Sequence, residues 1–170
     1  MPCDTLILSV GLIPENELAR QAEIDIDPAT GGARVTDAFE TSIPGVFACG
    51  NALHVHDLAD FVTVESEEAG RRAAQYVLGK AETDDTGLLP VRDGFGARGV
   101  VPQWIRPGAE GVVRLQFRPA SKFTDCFIAV YAGETCVARK RRMILMPGEM
   151  CEVEVSRERL TGPIKVQVEV

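Results

Sequence analysis

The hydrophobic period of this 170-residue chain changes once, and the change divides it. From Thr63 to Leu78 the stretch "TVESEEAGRRAAQYVL" repeats small apolar residues at helical spacing. Beyond residue 99 that period is gone. "GVVRLQFRP" (111–119), "CFIAVYAG" (126–133), "TCVARKRRMILM" (135–146), "MCEVEVS" (150–156) and "IKVQVEV" (164–170) read as strands, and several alternate apolar with polar. Turns such as "AGE", "MPGE" (with a hairpin turn at 147–149) and "TGP" separate them. Short strands at this spacing predict a small all-β antiparallel sandwich over residues 96–170. The polar, glycine-rich stretch 79–99 predicts a linker, bounded here as residues 83–95. Residues 1–82 form the other part.

That first part has α/β character. "TLILSVG" (5–11) is a continuous apolar run, the mark of a strand covered on both faces in a parallel sheet. Such a strand needs neighbours, and the sequence before it is too short to supply them, so the chain reads as the tail of something longer. "PENELARQA" (14–22) predicts a short helix, and "IDIDPATGGARVT" (24–36) a strand, a turn at 28–32 and a strand. "GVFACG" (45–50) predicts a buried strand ending at a glycine. The helix from Thr63 has a cap residue first and Glu65, Glu67 and Glu68 early, where the positive end of the helix dipole favours them. Ala69, Gly70, Ala73, Ala74 and Val77 give it a face of small residues that can approach a sheet or flat ligand closely.

Charge narrows the function classes. The net charge of −7 argues against non-specific binding of nucleic acid or anionic membranes. The one dense basic run, Arg139–Arg142, lies inside strand-like sequence and reads as a solvated face. No apolar run approaches a membrane span, and no secretory leader is visible. The five cysteines are widely spaced with no CxxC pair, consistent with reduced thiols in the cytoplasm.

Two segments carry the chemistry. In "DTLILSVGLIPEN" (4–16) an apolar strand runs to Gly11 and then Pro14, bringing backbone to the carboxyl end of a sheet, where α/β proteins bind ligands. In "TSIPGVFACGN" (41–51) a short strand ends at Gly50, which lets a ligand sit against the main chain. Asn51 beside it offers an amide to hydroxyls or phosphate. Taken alone, each is an ordinary turn. In this order, about thirty residues apart and followed by the small-faced helix, they resemble the carboxy-terminal part of the FAD-dependent pyridine nucleotide-disulfide oxidoreductase family. In that family a T-x-x-P-G-V-F-A-x-G-D stretch closes the FAD site. Thr41, Pro44, Gly45, Val46, Phe47, Ala48 and Gly50 match it, and Leu6–Val10, Gly11, Pro14 and, with one inserted residue, Asn16 match the upstream stretch. The resemblance covers about residues 3–80.

The resemblance implies an incomplete FAD/NAD(P)-binding, Rossmann-like segment. It implies FAD as cofactor and NAD(P)H as substrate of a complete enzyme, with hydride passing to flavin N5 and then to a disulfide, quinone or protein. Gly11, Gly50 and Asn51 would contact the flavin side of the site, Asn51 at the ribityl chain. Val62, Thr63 and Val64 would mark the helix end under the pyrimidine edge, where a positive terminus stabilises the reduced ring. Two departures matter. The family's Asp is Asn51 here, which keeps hydrogen bonding but loses charge. No GxGxxG follows a strand anywhere in the chain, so these residues alone do not cradle pyrophosphates, and the segment is expected to be inactive by itself.

His54 and His56 stay open at this stage. With Asp57 and Asp60 they make a conceivable ligand set, on the substrate side of a flavin they are candidate catalytic proton carriers, and otherwise they shape the loop. The expectation adopted is catalytic His54 and His56, with no metal. Cys49 reads as packing. The sandwich carries no catalytic constellation and is expected to dock a protein partner or a second copy of the chain. The alternative function is a non-enzymatic interaction module built on that sandwich.

Overall fold

A computed structural model of the chain describes residues 3–8, 11–80, 86–108 and 110–170. It is a mixed α/β structure in which strands dominate. The helices are α1 (Glu17–Gln21) and α2 (Ala59–Val77). The strands are β1 (Leu89–Asp93), β2 (Ala97–Val101), β3 (Trp104–Ile105), β4 (Val112–Pro119), β5 (Phe123–Ala132), β6 (Thr135–Leu145), β7 (Cys151–Ser156) and β8 (Ile164–Glu169).

The strands form a five-stranded sheet in the order β3-β1-β8-β5-β6 and a three-stranded sheet in the order β2-β4-β7. Alternation decides what they bury. On β4, Val113, Leu115 and Phe117 are buried, while Arg114 and Gln116 pair with Glu154 and Glu152 of β7 across the outer surface. Val153 and Val155 join the same core, as do Ile128, Val130, Ile164, Val166 and Val168 from the larger sheet. One apolar core thus serves both sheets. β1 runs parallel to β8, so the strands are not all antiparallel as expected. β1 also lies inside the expected linker, of which residues 83–85 fall outside the described residues. The turn at 147–149 closes no hairpin, because β6 and β7 belong to different sheets.

Residues 3–80 depart further from expectation. Among the described residues of "TLILSVG" there is no strand, and Leu6, Ile7 and Leu8 are exposed; Ser9 and Val10 lie outside the description. An apolar run encodes a demand for burial, and no described strand pairs with this one to meet it. The expected strands at 24–36 and 45–50 reduce to isolated bridges, Ile26 with Ala33, Thr36 with Trp104, and Glu40 with Phe47. Cys49 is half-buried and outside any strand.

These residues instead pack on the sheets. Ile24, Ala33, Val35 and Leu53 form a second core with Val101 of β2. Val35 O accepts the backbone N–H groups of Gln103 at 3.1 Å and Trp104 at 3.2 Å, and the Val35 N–H is donated to Gln103 Oε1 at 2.9 Å. Buried Arg106 bonds Glu40 Oε2 at 2.6 Å and Thr36 Oγ1 at 3.0 Å, and Arg157 pairs with Asp37. Farther along, Asp57 receives Arg118 at 2.6 Å and the Met150 N–H at 2.7 Å. Burial opposes ionisation of Asp57, but these donors outweigh it and hold its carboxyl below the usual range. No helix among the described residues is long and apolar enough to cross a membrane.

Candidate functional site

The segment 41–57 is a chain of tight turns, each with a physical cause. The Thr41 hydroxyl accepts the Ile43 N–H at 3.2 Å, and Glu40 Oε1 accepts the Gly45 N–H at 2.8 Å. Gly45 has φ +78°, and a Cβ there would meet the Tyr76 ring of α2 at 2.8 Å. Phe47 packs edge-on against the same ring, with centroids 6.1 Å apart. Asn16 then joins the two motifs. Its buried side-chain amide donates to Gly31 O at 3.0 Å and to Ala52 O at 2.7 Å.

Helix α2 begins at Ala59, four residues before the expected start. Leu58 precedes it and gives no side-chain cap. Thr63 is therefore inside the helix, where its hydroxyl bonds back to Ala59 O at 3.2 Å. Of the small residues, Ala69 is buried and Ala73 half-buried, while Gly70, Ala74 and Val77 are exposed. Glu65, Ala69 and Ala73 stand four residues apart, so Glu65 belongs to the packing stripe.

Glu65 is the hub of the site. Its Oε2 lies 2.9 Å from His54 Nε2, and its Oε1 lies 3.2 Å from His56 Nε2 and accepts the Gly50 N–H at 2.6 Å. The three side chains are only 5%, 1% and 6% exposed for His54, His56 and Glu65. Burial by itself would raise the Glu65 carboxyl, but the histidines and the Gly50 N–H outweigh it and hold it at about 2. His56 is near the carboxylate yet poorly aligned, and neither of its ring nitrogens has a hydrogen-bond partner. The histidine rings meet edge-on, with centroids 4.4 Å apart.

The expected residues fall into two groups. Gly50, buried at φ +65°, lies against Val62, whose Cγ1 would meet an added Cβ at 3.3 Å. Asn51 is exposed, and its Oδ1 accepts the His56 N–H at 3.1 Å. Val62, Thr63 and Val64 follow on the first two turns of α2. These sit with the histidines, whereas Gly11 lies in exposed chain with nothing within 4 Å of its would-be side chain. The carboxylate that joins His54 and His56 is Glu65, not Asp57 or Asp60. Sequence reasoning took Glu65 for a dipole-stabilising surface residue. The available signal was its place four residues before Ala69 on the packing stripe, where a carboxylate needs buried partners. Phe61, Val64 and Glu65 also line an open cleft of about 980 Å³ between α2 and the three-stranded sheet.

The motif at 41–51, with its glycine at a left-handed turn and the long helix directly behind, lies inside the part of the chain that matches a known family. The family model for pyridine nucleotide-disulphide oxidoreductases matches residues 1–74. Over those residues the chain is similar to this family. A ferredoxin–NADP reductase of Leuconostoc mesenteroides subsp. mesenteroides is 38% identical over 66 residues, 39% of this chain and 20% of that protein. Putidaredoxin reductase of Pseudomonas putida is 33% identical over 91 residues, 50% of this chain and 21% of that protein. The chain spans about a fifth of the length of these curated relatives. No solved structure matches it.

Proposed function

We propose that residues 1–82 form one wall of the flavin site of an FAD-dependent, NAD(P)-linked oxidoreductase, and that the two-sheet unit is an appended sandwich domain. The observation that carries this reading is the family match over 1–74, a span that includes the 41–51 turn and most of α2. The named reductases among the relatives support it.

The residues present fit one side of such a cofactor. Asn51 is exposed beside Gly50, within reach of ribityl hydroxyls. The first turn of α2 carries backbone N–H groups that no side chain caps, a positive end suited to the pyrimidine edge. Val62, Thr63 and Val64 would shape that edge, and Gly11, itself exposed, would approach it. The pyrophosphate side does not fit, because the chain has no GxGxxG loop. That part of the site would come from outside these 170 residues, and the chain by itself would be inactive.

When bound, FAD would pass electrons from NAD(P)H to a disulfide, quinone or protein acceptor. His54 and His56, held by Glu65, would keep a proton near that surface. The two-sheet unit would supply the protein-docking face or a contact between copies, in the cytoplasm. The test is flavin retention. The chain, co-expressed with a GxGxxG-bearing FAD/NAD(P)-binding polypeptide, should purify with yellow flavin and oxidise NAD(P)H. A colourless product with no affinity for added FAD would remove the proposal.

A further inference from the structure

His54, His56 and Glu65 have coordinating capacity that the protein itself does not use up. Each side chain is more than nine-tenths buried. Each offers one ligand atom, and the three atoms lie within 4.8 Å of one another. Tetrahedral zinc holds nitrogen and oxygen ligands at about 2.0–2.2 Å, which sets neighbouring ligand atoms about 3.3 Å apart. The carboxylate turns one oxygen to each imidazole, Oε2 at 2.9 Å from His54 Nε2 and Oε1 at 3.2 Å from His56 Nε2, each close to that spacing. His56 gives the independent sign. Its buried Nε2 stands 3.2 Å from Glu65 Oε1 without a well-aligned hydrogen bond, a costly state that a metal bond would relieve. The Gly50 N–H on Glu65 Oε1 orients the carboxylate, as outer contacts do for metal ligands.

We propose that His54, His56 and Glu65 bind one divalent transition-metal ion, with zinc the best match. Two imidazoles and a carboxylate, with no thiolate in the cluster, suit a borderline cation with nitrogen and oxygen preference. Three protein ligands leave the fourth position for water. The ion fastens the 50–57 loop to the second turn of α2 and fixes Gly50 and Asn51 relative to the helix. This assignment stands without the flavin reading, since all three ligands are in this chain. It also has a consequence for that reading: the Nε2 atoms that hold the ion are unavailable to carry protons.

The test uses the full chain, stripped of metal and titrated with Zn²⁺ and with Co²⁺ as a spectroscopic probe. The expected result is one ion per chain, a raised unfolding midpoint, and the visible bands of four-coordinate cobalt with nitrogen and oxygen ligands. His54→Ala and His56→Ala should each weaken binding by roughly 100-fold or more, beyond the 10–100-fold typical of losing an outer contact. Glu65→Asp, which keeps a ligand oxygen, should weaken it less than Glu65→Ala. Absence of saturable binding to the unaltered chain overturns the proposal whatever the variants do. So do thiolate–cobalt bands, or binding unchanged in the histidine variants, either of which places the ion elsewhere.

Discussion

Glu65 Oε1 accepts the Gly50 N–H at 2.6 Å, and this bond ties a left-handed loop glycine to the second turn of α2. The same carboxylate holds His54. Removing it leaves buried donors on both sides. Glu65→Ala should therefore cost about 1–3 kcal/mol for each group left unpaired, read as a lower urea midpoint with an unchanged slope. Glu65→Gln keeps an acceptor for Gly50 and should cost clearly less. Equal losses in the two variants would mean that the negative charge, and not side-chain volume or the acceptor for Gly50, is what matters there.

Arg106 and Glu40 make a second buried pair, with side chains 7% and 8% exposed. It joins the 36–40 turn to the end of β3. Arg106→Met strands the carboxylate and should destabilise by about 3–5 kcal/mol. Adding Glu40→Gln should recover part of that loss, because the uncompensated charge goes with it. A double-mutant cycle measures the coupling. A coupling energy near zero would show the pair to be incidental.

The contrast between parts of the chain shows what was legible beforehand. Strands β4 to β8 fall close to the stretches where apolar and polar residues alternate, because alternation states which face is buried. β1 was hidden by Pro90 and the surrounding glycines, which read as linker. The runs at 5–11 and 45–50 state only that burial is wanted, and burial partners are not written locally. Thr63 misled the start of α2, since a cap residue and a back-bonding residue look alike in one dimension. The motif glycines were legible, but the Glu65 hub needed to be known as part of the stripe that α2 buries, and packing decides that stripe.

Tyr131 and Glu169 give a pH dependence at both ends of the scale. The Tyr131 hydroxyl bonds Glu169 Oε1 at 2.6 Å, which lowers the carboxyl from its ordinary 4.5 and raises the phenol from its ordinary 10.0. For Glu169 the folded value lies below the unfolded one. Its stabilisation is complete above the unfolded value and is lost as pH falls through the folded one. For Tyr131 the order is reversed, and stabilisation present below pH 10.0 is lost as pH rises through the folded value. The difference in urea midpoint between the unaltered chain and Tyr131→Phe should be largest near neutrality and shrink at both extremes. A pH-independent difference would rule out the bond as its source.

Two glycines should respond oppositely to alanine. Gly32 lies against backbone, and an added Cβ would fall 1.8 Å from Leu53 O. Gly32→Ala must push the 31–33 turn away from the loop before His54, at a cost of about 1–3 kcal/mol or more. Gly70 is in the interior of α2 with nothing within 4 Å of that position. Gly70→Ala should stabilise by up to about 1 kcal/mol through helix propensity alone. Thermal unfolding of both variants checks the pair, and destabilisation by Gly70→Ala would mean that this exposed face is covered in solution.

Asn51→Asp tests the flavin reading from inside the chain. The Oδ1 bond to the His56 N–H at 3.1 Å survives the change, since a carboxylate accepts as an amide oxygen does. Asn51 is exposed, so stability should shift by less than about 0.5 kcal/mol. A ribityl hydroxyl, by contrast, would donate to a charged acceptor, and charge-assisted bonds are roughly twice as strong as neutral ones. FAD affinity of the protein co-expressed with its FAD/NAD(P)-binding part should therefore rise several-fold, measured by quenching of flavin fluorescence. Unchanged affinity at unchanged stability would place Asn51 away from the cofactor, whereas a loss of stability would show that its amide nitrogen, not its oxygen, serves the loop.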